Sequence, residues 1–238
     1  MATLIRGLDA ARVRANAARV REQIAAAALQ AGRKPEEVSL IGVSKTHPPE
    51  SVVAAVQAGL KDVGENRVQE AAPKVPAVRQ LLNEPPTWHL VGHLQTNKVN
   101  ASLDLFDAID SVDSLHLAEA LSKRLKGRTL PILLEVYVGD DPERPGFRPH
   151  DVEEAVGRIL ELPGLEVRGL MTVAPLGEDP RPAFGQVREI RNRLSDSYPR
   201  VHFGVLSMGM SDDFQMAIAE GSTQVRIGTA IFGPRRTT

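Results

Sequence analysis

Cysteine is absent from the 238-residue chain. Its absence excludes disulfides, thiolate–zinc sites, iron–sulfur clusters and a cysteine nucleophile, and it suits a reducing, cytoplasmic location. Aromatic residues are only 4 %, too few for a platform on which nucleic-acid bases stack. An excess of charge is missing too: 29 Lys plus Arg face 30 Asp plus Glu, a formal net charge of −1. A protein that coats nucleic acid needs a large basic excess, so no nucleic-acid partner is expected. No run approaches the ~20 apolar residues of a membrane helix. The early run Ile24 to Leu29 is mostly alanine, and no signal-peptide hydrophobic region is seen. A membrane partner is therefore not expected. The Walker A loop, G-x-G-x-x-G and H-E-x-x-H are all missing.

What remains is a globular mix, 42 % hydrophobic and 25 % charged. The first 34 residues carry Arg6, Arg12, Arg14, Arg19, Arg21, Arg33 and Lys34 against Asp9 and Glu22. Arg-rich, acid-poor and amphipathic describes an organelle transit peptide. But this stretch has no serine and runs straight into a structured-looking segment, so a helix of the fold is the expectation. Val13, Ala17, Val20 and Ile24 recur at helical spacing, and Gly32 is a helix stop.

Apolar runs then alternate with helical patterns. The expected strands are Val38–Val43, Lys61–Gly64, Trp88–Val91, Phe106–Asp110, Ile132–Val138, Val167–Val173, Val201–Leu206 and Gln224–Phe232. Helices are expected over Pro49–Ala58, Glu65–Leu82, from Gln95, and over Ser114–Lys126, Asp151–Leu162, Pro182–Leu194 and Ser211–Glu220. Pro73 and Pro76 should break or kink the second of these. Eight strands alternating with helices predict a parallel sheet covered by helices. The count and the length match a closed (β/α)8 barrel with an extra N-terminal helix, one domain over residues 1–238. An open doubly wound sheet is the alternative.

Barrel chemistry sits at the C-terminal ends of the strands, and three features stand there. Lys45 follows an apolar strand, so its amine should emerge at the barrel mouth. Partial desolvation there favours a free amine that can trap a carbonyl. The plainer reading is a lysine that snorkels to water. Arg226 is flanked by Val225 and Ile227, so it faces the other way and points into the barrel if they pack on helices. A buried guanidinium needs an anion or a strong acceptor, a ligand or an inward carboxylate such as Glu135. Ser211 stands at an expected helix start, and serine plus free N–H groups makes an anion site. Gly228 and Thr229 supply a second wall. Asp212 and Asp213 would repel a phosphate if they pointed at it, and the plainer reading of Ser211 is an ordinary cap. His89 and His93 share a strand face, but with no acidic third ligand beside them a metal is not expected. An amine, a phosphate cradle and an arginine in one cavity together describe a site for pyridoxal 5′-phosphate.

At these residues the chain resembles the pyridoxal phosphate homeostasis proteins of the YggS/PROSC type. The matching segments are Val43-Ser44-Lys45-Thr46, Gly64-Glu65-Asn66-Arg67-Val68-Gln69-Glu70 and His89-Leu90-Val91-Gly92-His93-Leu94-Gln95-Thr96-Asn97-Lys98. Gly169-Leu170-Met171-Thr172, Leu206 through Asp213 and Gly221 through Gly233 complete them. The resemblance implies a barrel like the N-terminal domain of alanine racemase. It implies that Lys45 holds the cofactor as a Schiff base and that Arg226 meets the pyridine nitrogen. It implies that Ser207 or Ser211, with Gly228 and Thr229, holds the phosphate, while Asn66 and Met171 line the cofactor. It also implies a role in vitamin B6 and amino-acid balance rather than turnover. Two departures stand out. Tyr137 and Glu143-Arg144-Pro145-Gly146-Phe147 replace an Asn and a Lys-x-Gly loop, and His47 replaces a lysine.

Opposite Arg226 the ring nitrogen stays unprotonated, which makes the ring a weaker electron sink. A two-base racemase also needs a second acid–base group, and the chain has only Tyr137 and Tyr198 as tyrosines. The expectation is therefore a carrier, not an enzyme, with apo pyridoxal-phosphate enzymes as partners. The alternatives are an amino-acid racemase using Tyr137 or His93, and a barrel enzyme acting on another phosphorylated substrate. No long exposed apolar stripe argues for an obligate dimer, which points to a monomer.

Overall fold

A computed structural model describes residues 2–234. The outermost residues of the domain expected over 1–238 lie outside the described residues. The chain opens with α1 (Ala2–Gln30) and then alternates: β1 (Ser39–Val43), α2 (Pro49–Gln57), β2 (Asp62–Glu65), α3 (Val68–Leu81), β3 (Thr87–Leu90), α4 (Val99–Leu105). It continues through β4 (Ala108–Val112), α5 (Leu115–Ser122), β5 (Leu130–Glu135), α6 (Val152–Leu160), β6 (Leu165–Met171) and α7 (Arg181–Ser197). The last elements are β7 (Val205–Ser207), α8 (Phe214–Ala219), β8 (Gln224–Ile227) and α9 (Thr229–Phe232).

All eight strands are parallel, and β8 pairs back onto β1 through Ser39↔Gln224 to Gly42↔Ile227, which closes the barrel. That pairing excludes the open sheet. Alternation decides the two faces. Val225 and Ile227 are fully buried in the shell between barrel and helices, so Arg226 between them faces inward, where it is buried. The seam between β8 and β1 is covered by α1, which packs on α2, α8 and α9. Its expected stripe, Val13, Ala17, Val20 and Ile24, is buried there, and Asn16 Nδ2 donates to the Ile231 carbonyl at 3.0 Å. Among the described residues, no helix is long and apolar enough to cross a membrane.

Several expected boundaries move, each for a physical reason. The run Gln224–Phe232 is not one strand: it breaks at Gly228 and ends as α9, because a short apolar run reads alike as strand or helix. Ser211 does not cap α8. Asp213 occupies the N-cap position without capping, its carboxylate instead accepting the Met210 N–H, so residues 210–213 form a turn and the helix starts later. Pro73 and Pro76 do not end α3. Both are exposed, and the carbonyls they leave without a helical partner belong to exposed Gln69 and Ala72, where water can replace the lost bonds. Ser114 does cap α5, accepting from Leu117 N at 3.3 Å.

Candidate functional site

The barrel order gathers the sequence-predicted residues. Met171 and Ser207 end β6 and β7, Arg226 lies on β8 with Gly228 just past it, Lys45 stands two residues beyond β1, and Asn66 follows β2. These are five adjacent strands, β6-β7-β8-β1-β2, at one end of the barrel. The strands that carry residues 45 and 226 become neighbours only because β8 pairs with β1, with Ile41 opposite Arg226. Ser211 lies in the turn after β7 and Thr229 heads α9, both on the same rim.

Arg226 is held from β6 and β7. Its Nη1 donates to the Ser207 carbonyl at 2.6 Å and to the Ser207 hydroxyl at 2.8 Å, and Nη2 donates to the Thr172 carbonyl at 2.8 Å. The expected alternative, an ion pair with Glu135, is not among its hydrogen bonds or ion pairs. Burial lowers the pKa of Arg226, against the pull of Asp110 and Glu135, yet a guanidinium keeps its charge in any protein. The three bonds to Ser207 and Thr172 leave two of the five guanidinium N–H groups, the Nε–H and one on Nη2, without a protein acceptor among the described residues, so the group still has donors for a ligand acceptor. Glu135 also faces this interior. Burial, then the nearby charge of Asp113, raises its pKa to about 7.

Below Arg226 the barrel is not filled by apolar layers alone. Gln224 Nε2 donates to the Ser207 hydroxyl at 2.9 Å and, across the barrel, to Asp110 Oδ2 at 3.0 Å. His89 Nδ1 lies 3.1 Å from both Asp110 oxygens, and its Nε2 lies 3.4 Å from Asp62. Burial pushes the His89 imidazole down, but the charge and hydrogen bond of Asp110, joined by Asp62, outweigh it and raise the pKa to about 10. The two carboxylates thus favour the imidazolium form of His89. His93 is not its metal-binding partner: it bonds Asp113 at 2.6 Å. The expectation that no carboxylate sits beside these histidines is corrected, since each has its own. Among the described residues no group of three or more His, Asp or Glu is placed to hold a metal.

The surroundings of Lys45 combine support and strain. Lys45 is half-buried. Ser44 before it is fully buried, and its hydroxyl donates to Glu65 Oε1 at 2.5 Å. Lys74 of α3 donates to the same oxygen at 2.5 Å and to the Ser44 carbonyl at 2.8 Å. Burial pushes the Glu65 carboxyl up, with Lys74 and Ser44 opposing it. Thr46 after Lys45 has φ +64°, a left-handed conformation that a β-branched residue rarely adopts. Its N–H donates to Glu70 Oε2 at 2.9 Å. His47 is buried with its ring 5.5 Å from that of Phe232. Gly228 lets β8 approach β1: a Cβ there would lie 3.3 Å from the Val43 carbonyl.

The residue reading missed Gln224, Thr172, Glu70 and Lys74. Lys74 did leave a signal, because with Ala71, Val75 and Val78 it falls on the apolar stripe of α3 at i, i+3, i+4, i+7. Tyr137 lies beyond β5 rather than on it, with Arg148 4.7 Å over its ring. Tyr198 follows α7 and precedes the N-terminal end of β7, the end of the strands opposite the Lys45 rim, and donates to the Glu153 carbonyl at 3.2 Å.

The donor set suits a phosphorylated aromatic aldehyde: an amine at the rim, a buried guanidinium with two spare N–H groups, and N–H groups at a helix start. Comparison with known proteins agrees on the class. The family model of the alanine racemase N-terminal domain matches residues 8–236. The pyridoxal phosphate homeostasis protein of Aquifex aeolicus is 43 % identical over 223 residues, 92 % of this chain and 96 % of that one. The Escherichia coli protein of the same name is 39 % identical, over 92 % and 95 % of the two chains. The structure of PipY from Synechococcus elongatus with pyridoxal phosphate bound has a TM-score of 0.81 at 37 % identity, covering 93 % of this chain and all of that one. Alanine racemase from Corynebacterium glutamicum, at 17 % identity and a TM-score of 0.68, shares the fold. The chain belongs to the alanine racemase N-terminal domain family and, within it, to the pyridoxal phosphate homeostasis proteins.

Proposed function

We propose that this chain binds pyridoxal 5′-phosphate and keeps it available within the cell, serving vitamin B6 and amino-acid balance as a carrier rather than by turnover. The observation that carries the reading is the arc of five adjacent strands that places Lys45, Arg226 and the Gly228–Thr229 rim together. When bound, the cofactor supplies an aldehyde for reversible covalent attachment to an amine and an electron-withdrawing ring. Lys45 would hold it covalently through Nζ. Arg226, fixed by Ser207 and Thr172, would meet the ring nitrogen with one of its two remaining N–H groups and leave that nitrogen unprotonated. Asn66 and Met171 would line the ring. Ser211, Gly228 and Thr229 would hold the phosphate. Ser207, whose hydroxyl already accepts from Arg226 and Gln224, would act behind the ring and not on the phosphate. Asp213 is turned back onto Met210, which eases the repulsion expected from it.

Release to apo pyridoxal-phosphate enzymes by a monomer completes the proposal. The test is the visible spectrum of the purified protein, followed by borohydride reduction and mass spectrometry. A pyridoxyl adduct on Lys45, with cofactor passing to an apo-enzyme, is the expected result. No adduct after adding the cofactor would move the site to another phosphorylated substrate. One observation favours a second reading, amino-acid racemisation: the His93–Asp113 pair at the rim, at 2.6 Å, can hold and move a proton. Exchange of α-protons with solvent deuterium across the common L-amino acids tests it. The carrier reading expects none.

A further inference from the structure

Two features that weaken a fold flank one lysine. On the N-terminal side is a buried ion pair, Glu65–Lys74, in which Glu65 is 0 % exposed and its Oε2 has no hydrogen-bond partner. A buried pair of this kind adds little or nothing to stability, and an unsatisfied carboxylate oxygen subtracts from it. On the C-terminal side Thr46 holds a left-handed backbone without being glycine. Strain and imperfectly satisfied buried charge collect where a site needs one geometry.

Both features end on the same helix. Lys74 donates to the Ser44 carbonyl, which belongs to the peptide just before Lys45. Glu70 accepts from the Thr46 N–H, which belongs to the peptide just after Lys45. Glu70 and Lys74 are four residues apart on α3, hence one above the other on one face. Ser44 is tied a second time, through its hydroxyl to Glu65.

We propose that α3 is a two-point clamp on Lys45, with Glu70 and Lys74 as positioning residues. They fix the peptide planes on both sides of the lysine and so aim its amine across the barrel mouth toward the β8 rim. The proposal rests on the assignment of Lys45 as the carbonyl-trapping residue. The clamp costs stability and returns a single Cα orientation, which raises the effective concentration of the amine at its target. Glu70 needs only an acceptor oxygen for this task, whereas Lys74 needs its charge, because Glu65 sits buried beside it.

The test compares Glu70→Ala with Glu70→Gln. Glutamine retains an acceptor for the Thr46 N–H, and alanine does not. Three quantities are read: hydrogen exchange of the Thr46 amide, the rate of borohydride-trapped pyridoxyl adduct on Lys45, and the rate of Lys45 methylation by formaldehyde and cyanoborohydride. The last is independent of the cofactor. A charge-assisted bond of this kind corresponds to on the order of tenfold in an equilibrium. Glu70→Ala should lose about that much Thr46 protection and change both labelling rates severalfold at unchanged secondary structure, and Glu70→Gln should restore them. Rates and exchange within twofold of the parent in Glu70→Ala would overturn the clamp. Absence of a pyridoxyl adduct in the parent protein overturns the cofactor reading instead, and the methylation and exchange data then decide the clamp by themselves. Lys74→Met is checked together with Glu65→Gln, since the single variant strands a buried carboxylate.

Discussion

His89 stands between Asp110 and Asp62 with a pKa of about 10, well above the ordinary 6.5 for an imidazole. The sign of its effect follows. Its contribution to stability is complete below about pH 6.5, fades as pH rises, and is gone beyond about pH 10. The stability gap between the parent and His89→Gln should therefore be widest near pH 6, on the order of a few kcal/mol, and shrink toward pH 10. Denaturant titrations across that range measure it. NMR should find the ring still protonated at pH 8, and Asp110→Asn should bring its pKa down. Thr46 makes an opposite case. Glycine accepts φ +64° freely, so Thr46→Gly should raise stability by about 0.5–1 kcal/mol in urea unfolding. It should also loosen the aim of Lys45. Arg226 was legible as an inward residue from its two apolar neighbours alone. Its carbonyl acceptors were not, because the Thr172 and Ser207 carbonyls come from the ends of β6 and β7 and leave no trace in side-chain pattern.

Elements were legible where periodicity and punctuation agreed. The stripe of α1 and the cap of α5 fall where the residues say. β7 is another matter: only Val205–Ser207 form the strand, since the apolar residues before it pack as loop. α3 shows how tertiary context overrides propensity. Its prolines point to solvent while Ala71, Val75 and Val78 pack inward, and packing holds a helix that Pro alone would end. Each proline still deletes one helical bond. Pro76→Ala should therefore stabilise the protein by about 1–3 kcal/mol, read from the denaturation midpoint at constant m-value. If α3 is the clamp on Lys45, the same change leaves the Thr46 amide at least as well protected.

At the scale of the whole molecule the count of eight strands pointed to a barrel, and the pairing of β8 with β1 decided it against the open sheet. What the pattern could not supply was the polar column through the interior, His89–Asp110–Gln224–Ser207–Arg226, whose members lie on four strands and meet only after closure. The seam joins the two strands furthest apart in sequence, and α1 is its cover. Ala17 is 0 % exposed in that cover. Ala17→Glu buries an unpaired charge, and a loss of more than about 3 kcal/mol is expected. Thermal unfolding measures it, with cofactor affinity falling in parallel.

That joint also sets a clock. β1 leaves the ribosome well before β8, yet residues 39–42 pair with 224–227. Contacts so distant in sequence form late in folding. A nascent chain that stops short of residue 224 carries Lys45 but neither Arg226 nor the rim that follows it. Such a chain has a lysine and no pocket. At the proposed site, cofactor binding would await the pairing of β8 with β1, and a bound cofactor would bridge these two strands. It would slow the opening of the seam, and with it unfolding, while leaving the early steps of folding untouched.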